Sequence, residues 1–267
     1  MTDWLTIRRS DSPLILAMPH GGTEIPDAIL GDFISPWLAR RDTDWHIGQL
    51  YDGLADATTV ATRISRSVID VNRDPSGASL YPGQATTELC PTTSFDGDPL
   101  YLGQAPDDDE IARRRATYFD PYHAALEGEI ARLRRLHTHV IVCDCHSIRS
   151  RIPRLFEGNL PELNIGTNGG ATCDPALRQR VAMAAAASGR SLVLDGRFRG
   201  GWTSRHYGRP QQGVHAVQME LAMRAYLAEP DGPVTIDNWP PDYCPDRAAP
   251  LRSVLSAILS SCLEFAR

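Results

Sequence analysis

The stretch LILAMPHGGTEIP, residues 14–26, runs five apolar residues into Pro19 and His20, and two glycines and an acid follow. Short apolar runs of this kind, without polar interruptions, are typical of strands that are covered on both faces. A histidine that directly follows such a strand lies at the edge of the sheet where α/β proteins bind their ligands. The stretch therefore predicts a buried strand over residues 14–18 and a binding residue, His20, at its carboxyl end.

Similar runs recur along the chain and alternate with helical patterns. This alternation indicates an α/β layer fold with a mostly parallel sheet. No internal repeat or long linker interrupts it, so we expect a single domain over residues 1–267. The predicted strands are 14–18, 59–64, 67–71, 139–145, 191–195 and 214–220. The predicted helices are 42–57, 107–119, 120–137, 173–189 and 249–266.

Two long segments, 74–106 and 147–173, show neither pattern and are rich in glycine, proline, threonine and aspartate. We expect both segments to be irregular. Long loops are uncommon in compact domains and often carry function where they occur.

The bulk composition excludes several classes of protein. The chain has 267 residues, 42% of them hydrophobic, and a net charge of −6, so nothing suggests a surface that binds nucleic acid or membrane. No apolar run approaches the roughly 20 residues that cross a bilayer, and the opening MTDWLTIRRSDSP lacks the pattern of a signal peptide. We therefore expect a cytoplasmic protein without nucleic-acid or membrane partners, and the oligomeric state stays open.

Cysteine and lysine usage narrows the chemistry further. Six cysteines in a chain of this length predict reduced thiols rather than a disulfide framework. The sequence contains no lysine, so all 27 strongly basic residues are arginines. A Schiff-base lysine, a phosphate-loop lysine and a lysine general base are therefore excluded.

Polar residues stand where four of the predicted strands end: His20, the pair Asn72 and Arg73, His146, and Glu220. Because the carboxyl ends of parallel strands meet at one edge of a sheet, we expect these side chains to converge. Two imidazoles and a carboxylate around one open position are typical of a catalytic zinc site. A further carboxylate that binds no metal can then act as general base, and Glu220 fits that role.

The third metal ligand is open between a glutamate and two aspartates. Glu24 lies in the same loop as His20, whereas Asp42 and Asp44 begin a predicted helix. A capping aspartate binds the first N–H groups of its own helix, so local geometry favours Glu24. The two glycines after His20 are expected to allow a sharp turn and to leave room beside the metal.

His146 and Glu220 each also have a purely structural interpretation. His146 ends the motif CDCH, which is compatible with a structural Cys/His zinc site, but Cys143 and Cys145 alternate onto the face opposite His146. Buried free thiols are the better interpretation of the two cysteines. Asp144 is a candidate for orienting a neighbouring ligand, and Glu220 alone is also compatible with a buried ion pair to an arginine.

Arginines gather in three loops at or beyond predicted strand ends, in segments 72–74, 148–154 and 196–209. The planar guanidinium group binds carboxylates through two parallel hydrogen bonds. In an acidic protein this distribution predicts a small dicarboxylate or amino-acid substrate, although part of it reflects ordinary surface ion pairing. The glycine-flanked motif GGWTSRHYG, within 196–209, is expected to cover the site as a loop.

Several long motifs resemble the N-formylglutamate amidohydrolase family, in particular its deformylase branch. The resemblance runs from about residue 12 to the C-terminal helix. It implies a three-layer sandwich with a mostly parallel mixed sheet, phosphorylase/hydrolase-like and similar to zinc carboxypeptidases. It also implies hydrolysis of N-formyl-L-glutamate to formate and L-glutamate in histidine degradation. The motifs are MPHGGTEIP, DTDW, SRSVIDVNRDPSGASLYPG, YHAALEGEIARLR, DCHSIRSRIPRLFEGNLPELNIGT and GRFRGGWTSRHYGRPQQGVHAVQMELA.

The resemblance also implies roles for individual residues. The metal, Zn2+ or another divalent ion, would be held by His20, Asp44 and His146, with Glu24 as the alternate third ligand. Glu220 would be the catalytic base. The substrate would be bound by Asn72, Arg73 and Arg205. The two arginines would bind the two substrate carboxylates.

Two other functions remain open from the sequence. The same metal site could serve an amidohydrolase or carboxypeptidase for another N-acyl amino acid. A non-catalytic carboxylate-binding or structural metal protein is the alternative from a different class. For the deformylase, and for an amidohydrolase or carboxypeptidase of this second kind, the partner is a small-molecule N-acyl amino acid.

Overall fold

Seven strands form one mixed sheet in the computed structural model, which describes residues 3–79 and 83–267. The strands are β1 (Leu5–Arg8), β2 (Leu14–Met18), β3 (Thr58–Thr62), β4 (Val140–Ile148), β5 (Leu163–Gly166), β6 (Leu192–Leu194) and β7 (Val214–Ala222). Their order across the sheet is β1-β3-β2-β4-β7-β5-β6. Pairing is parallel within β3-β2-β4-β7 and in β5-β6, and antiparallel in β1-β3 and β7-β5. The predicted α/β fold with a mostly parallel mixed sheet is confirmed.

Helices cover both faces of the sheet, which gives three layers. They are α1 (Asp27–Leu30), α2 (Pro36–Arg40), α3 (Ile47–Tyr51), α4 (Asp108–Arg114), α5 (Asp120–Arg134), α6 (Pro175–Ala186), α7 (Trp202–Tyr207) and α8 (Pro245–Ala266), with a π-helical turn at Arg115–Phe119. One core lies between the sheet and α3, α6 and α8, and the other lies between the sheet and α5. Leu14 and Leu16 of β2 face the first core, and Ile15 and Ala17 face the second. Since every residue of β2 is buried, its run of apolar residues needs no polar interruption.

The long predicted helices form where their caps and apolar faces place them. Asp174 accepts a hydrogen bond from the N–H of Ala176 at the start of α6, and Pro175 occupies the first turn. Helix α8 is the one described helix that is long and apolar enough to cross a membrane by length and composition. One face of it, including Leu251, is buried against the sheet and α6.

The predicted helix over residues 42–57 is wrong for most of its length. Only the five residues of α3 are helical, and His46, just before them, has a φ of 60°. The Asp42 carboxylate does not cap a helix, because it accepts hydrogen bonds from the Phe95 N–H and the Arg149 guanidinium. Hydrogen bonds to residues distant in sequence therefore hold this segment in a turn.

The predicted strand over residues 67–71 is a turn in the structure. Its apolar side chains, Val68, Ile69 and Val71, are buried in the α5-side core, which explains the strand-like pattern. The Asp70 carboxylate accepts the N–H of Asn72 at 2.9 Å. Such a local bond competes with the ladder bonds of a strand.

The segment 147–173 is less irregular than predicted. Strand β4 continues three residues beyond the predicted end at 145 and so includes His146, and β5 lies within the segment. Strand β5 pairs antiparallel with β7 and bridges it to β6. A four-residue strand is too short to show a periodic pattern, and β1 was missed for the same reason.

Close backbone packing explains one of the glycines that follow His20. A Cβ atom on Gly22 would lie 2.3 Å from the carbonyl carbon of Arg63 and 2.4 Å from the oxygen of Ile64. Neither Gly21 nor Gly22 has a positive φ. The absence of a side chain at Gly22 therefore lets this loop approach the end of β3. A left-handed turn does not explain this glycine.

We expect Gly22→Ala to lower the melting temperature by several degrees, because the added Cβ displaces the backbone of residues 63–64 at a cost of about 1–3 kcal/mol. Thermal unfolding followed by circular dichroism measures the change. Gly48→Ala is the matched control, since a Cβ there meets nothing within 4 Å. Equal melting temperatures for the two variants would contradict this explanation of Gly22.

Candidate metal centre

Three side chains from distant parts of the chain meet at the carboxyl edge of the sheet. His20 follows β2, His146 lies near the end of β4, and Asp44 lies in the turn before α3. The two imidazole Nδ1 atoms are 3.1 Å apart. Asp44 Oδ2 lies 3.1 Å from Nδ1 of His146 and 3.8 Å from Nδ1 of His20. All three residues are at least 96% buried.

The geometry and chemistry of this group fit a metal ion. Ligand atoms of a tetrahedral zinc site lie about 3.3 Å apart, close to the separations seen here. Two imidazoles and one carboxylate supply three ligands and leave a fourth position for water or substrate. The group formed by His20, Asp44 and His146 could therefore hold a metal.

A buried carboxylate orients the first imidazole. Nε2 of His20 lies 2.6 Å from Oδ1 of Asp70, which is fully buried. Because an ionised carboxylate only accepts hydrogen bonds, Nε2 must carry the proton. The lone pair of Nδ1 then faces Asp44 and His146, as a metal ligand requires.

A second carboxylate and an amide orient the other imidazole. Nε2 of His146 lies 3.0 Å from Oδ1 of Asp144. The N–H of Thr203 donates to Oδ1 of Asn72 at 2.7 Å, which fixes the amide so that Nδ2 donates to Oδ2 of Asp144. Oδ2 of Asp144 therefore accepts from Asn72, and Oδ1 forms an ion-pair contact with Nε2 of His146, which also lies 2.9 Å from Nδ2 of Asn72. Nδ1 of His146 faces His20 and Asp44 and is available as the ligand atom.

The site holds more buried negative than positive charge. Four carboxylates (Asp44, Asp70, Asp144 and Glu220) lie near two guanidinium groups (Arg66 and Arg73). A bound cation would offset this excess of negative charge.

Without such a cation, protons compensate for the same charge. Burial raises the pKa of Glu220 to about 8, and the carboxylate of Asp44 adds to the effect. Burial alone would lower the pKa of His146, but the carboxylates of Asp144 and Asp44 raise it well above its usual range. Metal binding and proton release are therefore expected to be linked here.

Glu220 lies beside the metal group but is not part of it. In the parallel pairing of β4 and β7, Glu220 is the register partner of His146. Its side chain accepts a hydrogen bond from Nε2 of Gln218 at 3.3 Å and lines a cavity together with His20 and His146. A carboxylate in this position can exchange protons with a group bound in the cavity.

Three guanidinium groups also line this cavity. Arg66 donates to Asp70 at 2.8 Å and lies 3.4 Å from Asp44. Arg73 donates to Thr87 at 2.9 Å, and Arg197 belongs to the loop before α7. The apolar part of the lining is formed by Phe95, Ile148, Leu155 and Phe198. The guanidinium group of Arg66 lies over the ring of Phe95, and that of Arg197 lies over the ring of Phe198.

Two predicted site residues lie away from the centre. The Glu24 side chain is 40% exposed and forms an ion pair with Arg63, so it does not join the metal group. Nε of Arg205 donates to the carbonyl of Gly200, and Arg205 is not among the residues that line the cavity. Asn72 and Arg73 do line it, with Asn72 also behind His146.

The motif GGWTSRHYG forms the short helix α7 rather than the expected loop. The Trp202 N–H donates to the carbonyl of Asn72, and a Cβ on Gly201 would lie 2.5 Å from the Asn72 amide nitrogen. The motif therefore packs against Asn72 and holds the residue that supports Asp144.

Sequence reasoning missed Asp70, Arg66 and Arg197. Asp70 interrupts an otherwise apolar run, and this charged residue within a buried segment was the available signal. Cys143 and Cys145 are free and lie in the α8-side core, opposite His146.

Comparisons with known proteins agree along nearly the whole chain. A family model described as N-formylglutamate amidohydrolase matches residues 12–227. The N-formylglutamate deformylase of Pseudomonas aeruginosa is 44% identical over 271 aligned residues, which cover 100% of this chain and 98% of the relative. The N-formylglutamate deformylase of Pseudomonas putida is 43% identical over 265 residues, which cover 98% and 96%.

A solved structure shows the same fold. The crystal structure of N-formylglutamate amidohydrolase from Ralstonia eutropha JMP134 matches with a TM-score of 0.80. It is 23% identical in sequence, and the match covers 99% of this chain and 98% of that chain. With the sequence match over residues 12–227, these findings establish that the chain belongs to the N-formylglutamate amidohydrolase family.

Proposed function

We propose that this chain is a zinc-dependent hydrolase that converts N-formyl-L-glutamate and water into formate and L-glutamate, as a step of histidine degradation. The observation that carries the proposal is the buried group of His20, Asp44 and His146 with the non-ligand carboxylate of Glu220 beside it in one cavity. Family membership and full-length similarity to two deformylases support the choice of reaction.

The metal site is assigned to the neutral imidazoles of His20 and His146, each through Nδ1, and to the carboxylate of Asp44. A zinc ion held there would supply a lowered pKa of its bound water and polarisation of the formyl carbonyl. Asp70 and Asp144 keep the imidazoles in the tautomer that binds metal, and their negative charge increases the basicity of both ligands.

Glu220 acts as the general base and then as the general acid. It removes a proton from the water that attacks the formyl carbon. When the C–N bond breaks, it delivers that proton to the amine nitrogen of glutamate. Burial raises the pKa of Glu220 to about 8 in the metal-free site, and the positive charge of a bound metal would lower that pKa towards neutrality, where one carboxyl group can both release and accept a proton.

Arginines supply the remaining charges. To Arg66, which is buried beside Asp44 and lines the cavity, we assign a hydrogen bond to the carbonyl oxygen as negative charge develops on it. Arg73 and Arg197 bind the two substrate carboxylates, with Asn72 in support. Arg197 takes the role that the sequence suggested for Arg205, because Arg197 lines the cavity.

Removal of the metal tests the first part of the proposal. We expect dialysis against a chelator to abolish deformylation and added Zn2+ to restore it, with about one metal ion bound per chain by elemental analysis. His20→Ala should lose the metal, whereas Glu24→Ala should retain it, because Glu24 pairs with Arg63 at the surface. Deformylation that persists after complete removal of metal would exclude the zinc mechanism.

Replacement of the base tests the second part. Glu220→Gln keeps the shape of the side chain but cannot remove a proton, so we expect normal metal content and a loss of at least ~100-fold in kcat. Steady-state kinetics and elemental analysis on the same preparation check both expectations. Near-normal turnover would remove Glu220 from the mechanism.

Substrate recognition is tested with paired arginine variants. We expect Arg197→Met to reduce kcat/KM for N-formyl-L-glutamate by about 10- to 100-fold, since a hydrogen bond to a charged group contributes about 1.5–3 kcal/mol. N-formyl-L-glutamine lacks the side-chain carboxylate and N-formyl-L-isoglutamine lacks the α-carboxylate, and the same variant should change little towards whichever of the two lacks the carboxylate that Arg197 binds. Arg205→Met is the matched control.

Two results would change the proposed substrate ligand or the proposed substrate. A greater loss in Arg205→Met than in Arg197→Met would restore Arg205 as the substrate ligand. Faster hydrolysis of N-acetyl- or N-succinyl-L-glutamate than of the formyl compound by the unaltered enzyme would favour an amidohydrolase for another N-acyl amino acid.

A further inference from the structure

A second cavity lies beyond the carboxyl ends of β4 and β7, and the proposed reaction does not use it. Its volume is about 290 Å³. Its walls come from residues 149–151 after β4, from residues 229–232 and Val234, and from Asn159, Arg224 and Trp239. It shares no lining residue with the cavity beside the metal group. We call it the Arg224 cleft.

Two guanidinium groups in this cleft have buried N–H groups that are not hydrogen-bonded. The Arg149 side chain is 7% exposed, and its terminal nitrogen binds Asp42 and Asp96, but its Nε has no acceptor. NH1 of Arg224 is also buried and without an acceptor. Within residues 3–79 and 83–267, no carboxylate pairs with Arg224.

An unsatisfied buried donor on a charged group is costly, at about 1–3 kcal/mol or more. Because Arg149 and Arg224 both line the same cavity, their guanidinium groups indicate a site for a ligand with acceptor oxygens. Carboxylates match guanidinium groups best because both are planar and can form paired hydrogen bonds. Arg151 adds a third guanidinium group to the wall of the cleft.

Acidic side chains on the wall restrict the ligand further. Glu229 accepts the N–H of Ser150 at 2.9 Å, and Asp231 lines the same cavity. These carboxylates would repel a phosphate dianion but would attract an ammonium group. Both signs of charge around one small cavity fit a zwitterion.

We propose that the Arg224 cleft binds a free α-amino acid, with its carboxylate on the guanidinium groups of Arg149 and Arg224 and its ammonium group towards Glu229 and Asp231. The site is separate from the metal group and does not depend on the function proposed for it. The volume of the cleft suits a small molecule, and the wall of Trp239 and Val234 is apolar enough to contact aliphatic groups.

Calorimetric titration of the metal-loaded enzyme with glycine tests the proposal. Glycine is chosen because it lacks the second carboxylate that the proposed catalytic cavity requires. We expect saturable binding of glycine at millimolar concentration and at least ~10-fold weaker binding of acetate, methylamine and inorganic phosphate, each of which lacks one charge or has the wrong shape. The indole N–H resonance of Trp239, which donates to the carbonyl of Arg41, should shift as glycine binds.

Matched variants locate the binding. Arg224→Met should weaken glycine binding at least ~10-fold, and Asp231→Asn should weaken glycine but not acetate. Arg180→Met, at a surface ion pair with Glu264, is the control and should bind normally. Thermal unfolding of each variant verifies that it is folded.

Two results would overturn the proposal. The first is glycine binding that Arg224→Met leaves unchanged, or no saturable binding by the unaltered enzyme. The second is phosphate or acetate binding as tightly as glycine, which would make the cleft a general anion site.

Discussion

Two buried carboxylates that hold the outer nitrogens of two imidazoles are the constraint on which the site depends. The Nδ1 atoms of His20 and His146 are only 3.1 Å apart. Lone pairs at that distance repel unless a proton or a metal cation lies between them. Asp70 and Asp144 fix the outer nitrogens, so the inner ones cannot turn away. The arrangement therefore selects for a cation at one position.

The same constraint explains the local structure that the sequence pattern did not predict. Asp70 bonds both the N–H of Asn72 and the ring of His20, so the segment around it turns where its apolar residues favour a strand. Asp44 accepts the backbone N–H of Ser147 and lies beside Arg66, so the segment before α3 turns where a helix was expected. In both segments a buried carboxylate with distant partners outweighs local propensity.

Sequence alone predicts what is local or follows from a general rule. β2, β4, β7 and the long helices follow from continuous or periodic burial, and the meeting of His20, His146 and Glu220 follows from the shared edge of parallel strands. The arginines could not be assigned in this way. Arg197 and Arg205 lie in one segment of similar composition, and only the packing of α7 determines which of them lines the cavity.

Paired strands position the proposed catalytic groups of this protein, whereas loops carry its proposed substrate ligands. Glu220 and His146 are register partners in a nine-residue parallel pairing, so backbone hydrogen bonds set the distance between the proposed base and a proposed metal ligand. The proposed substrate ligands Arg73 and Arg197 come from loops, whose conformation the ladder does not fix. Changes in those loops can therefore alter which acyl amino acid fits while the relation between base and metal group stays the same. For the same reason, substitutions that shift the register of β7 against β4 would remove activity towards every substrate at once.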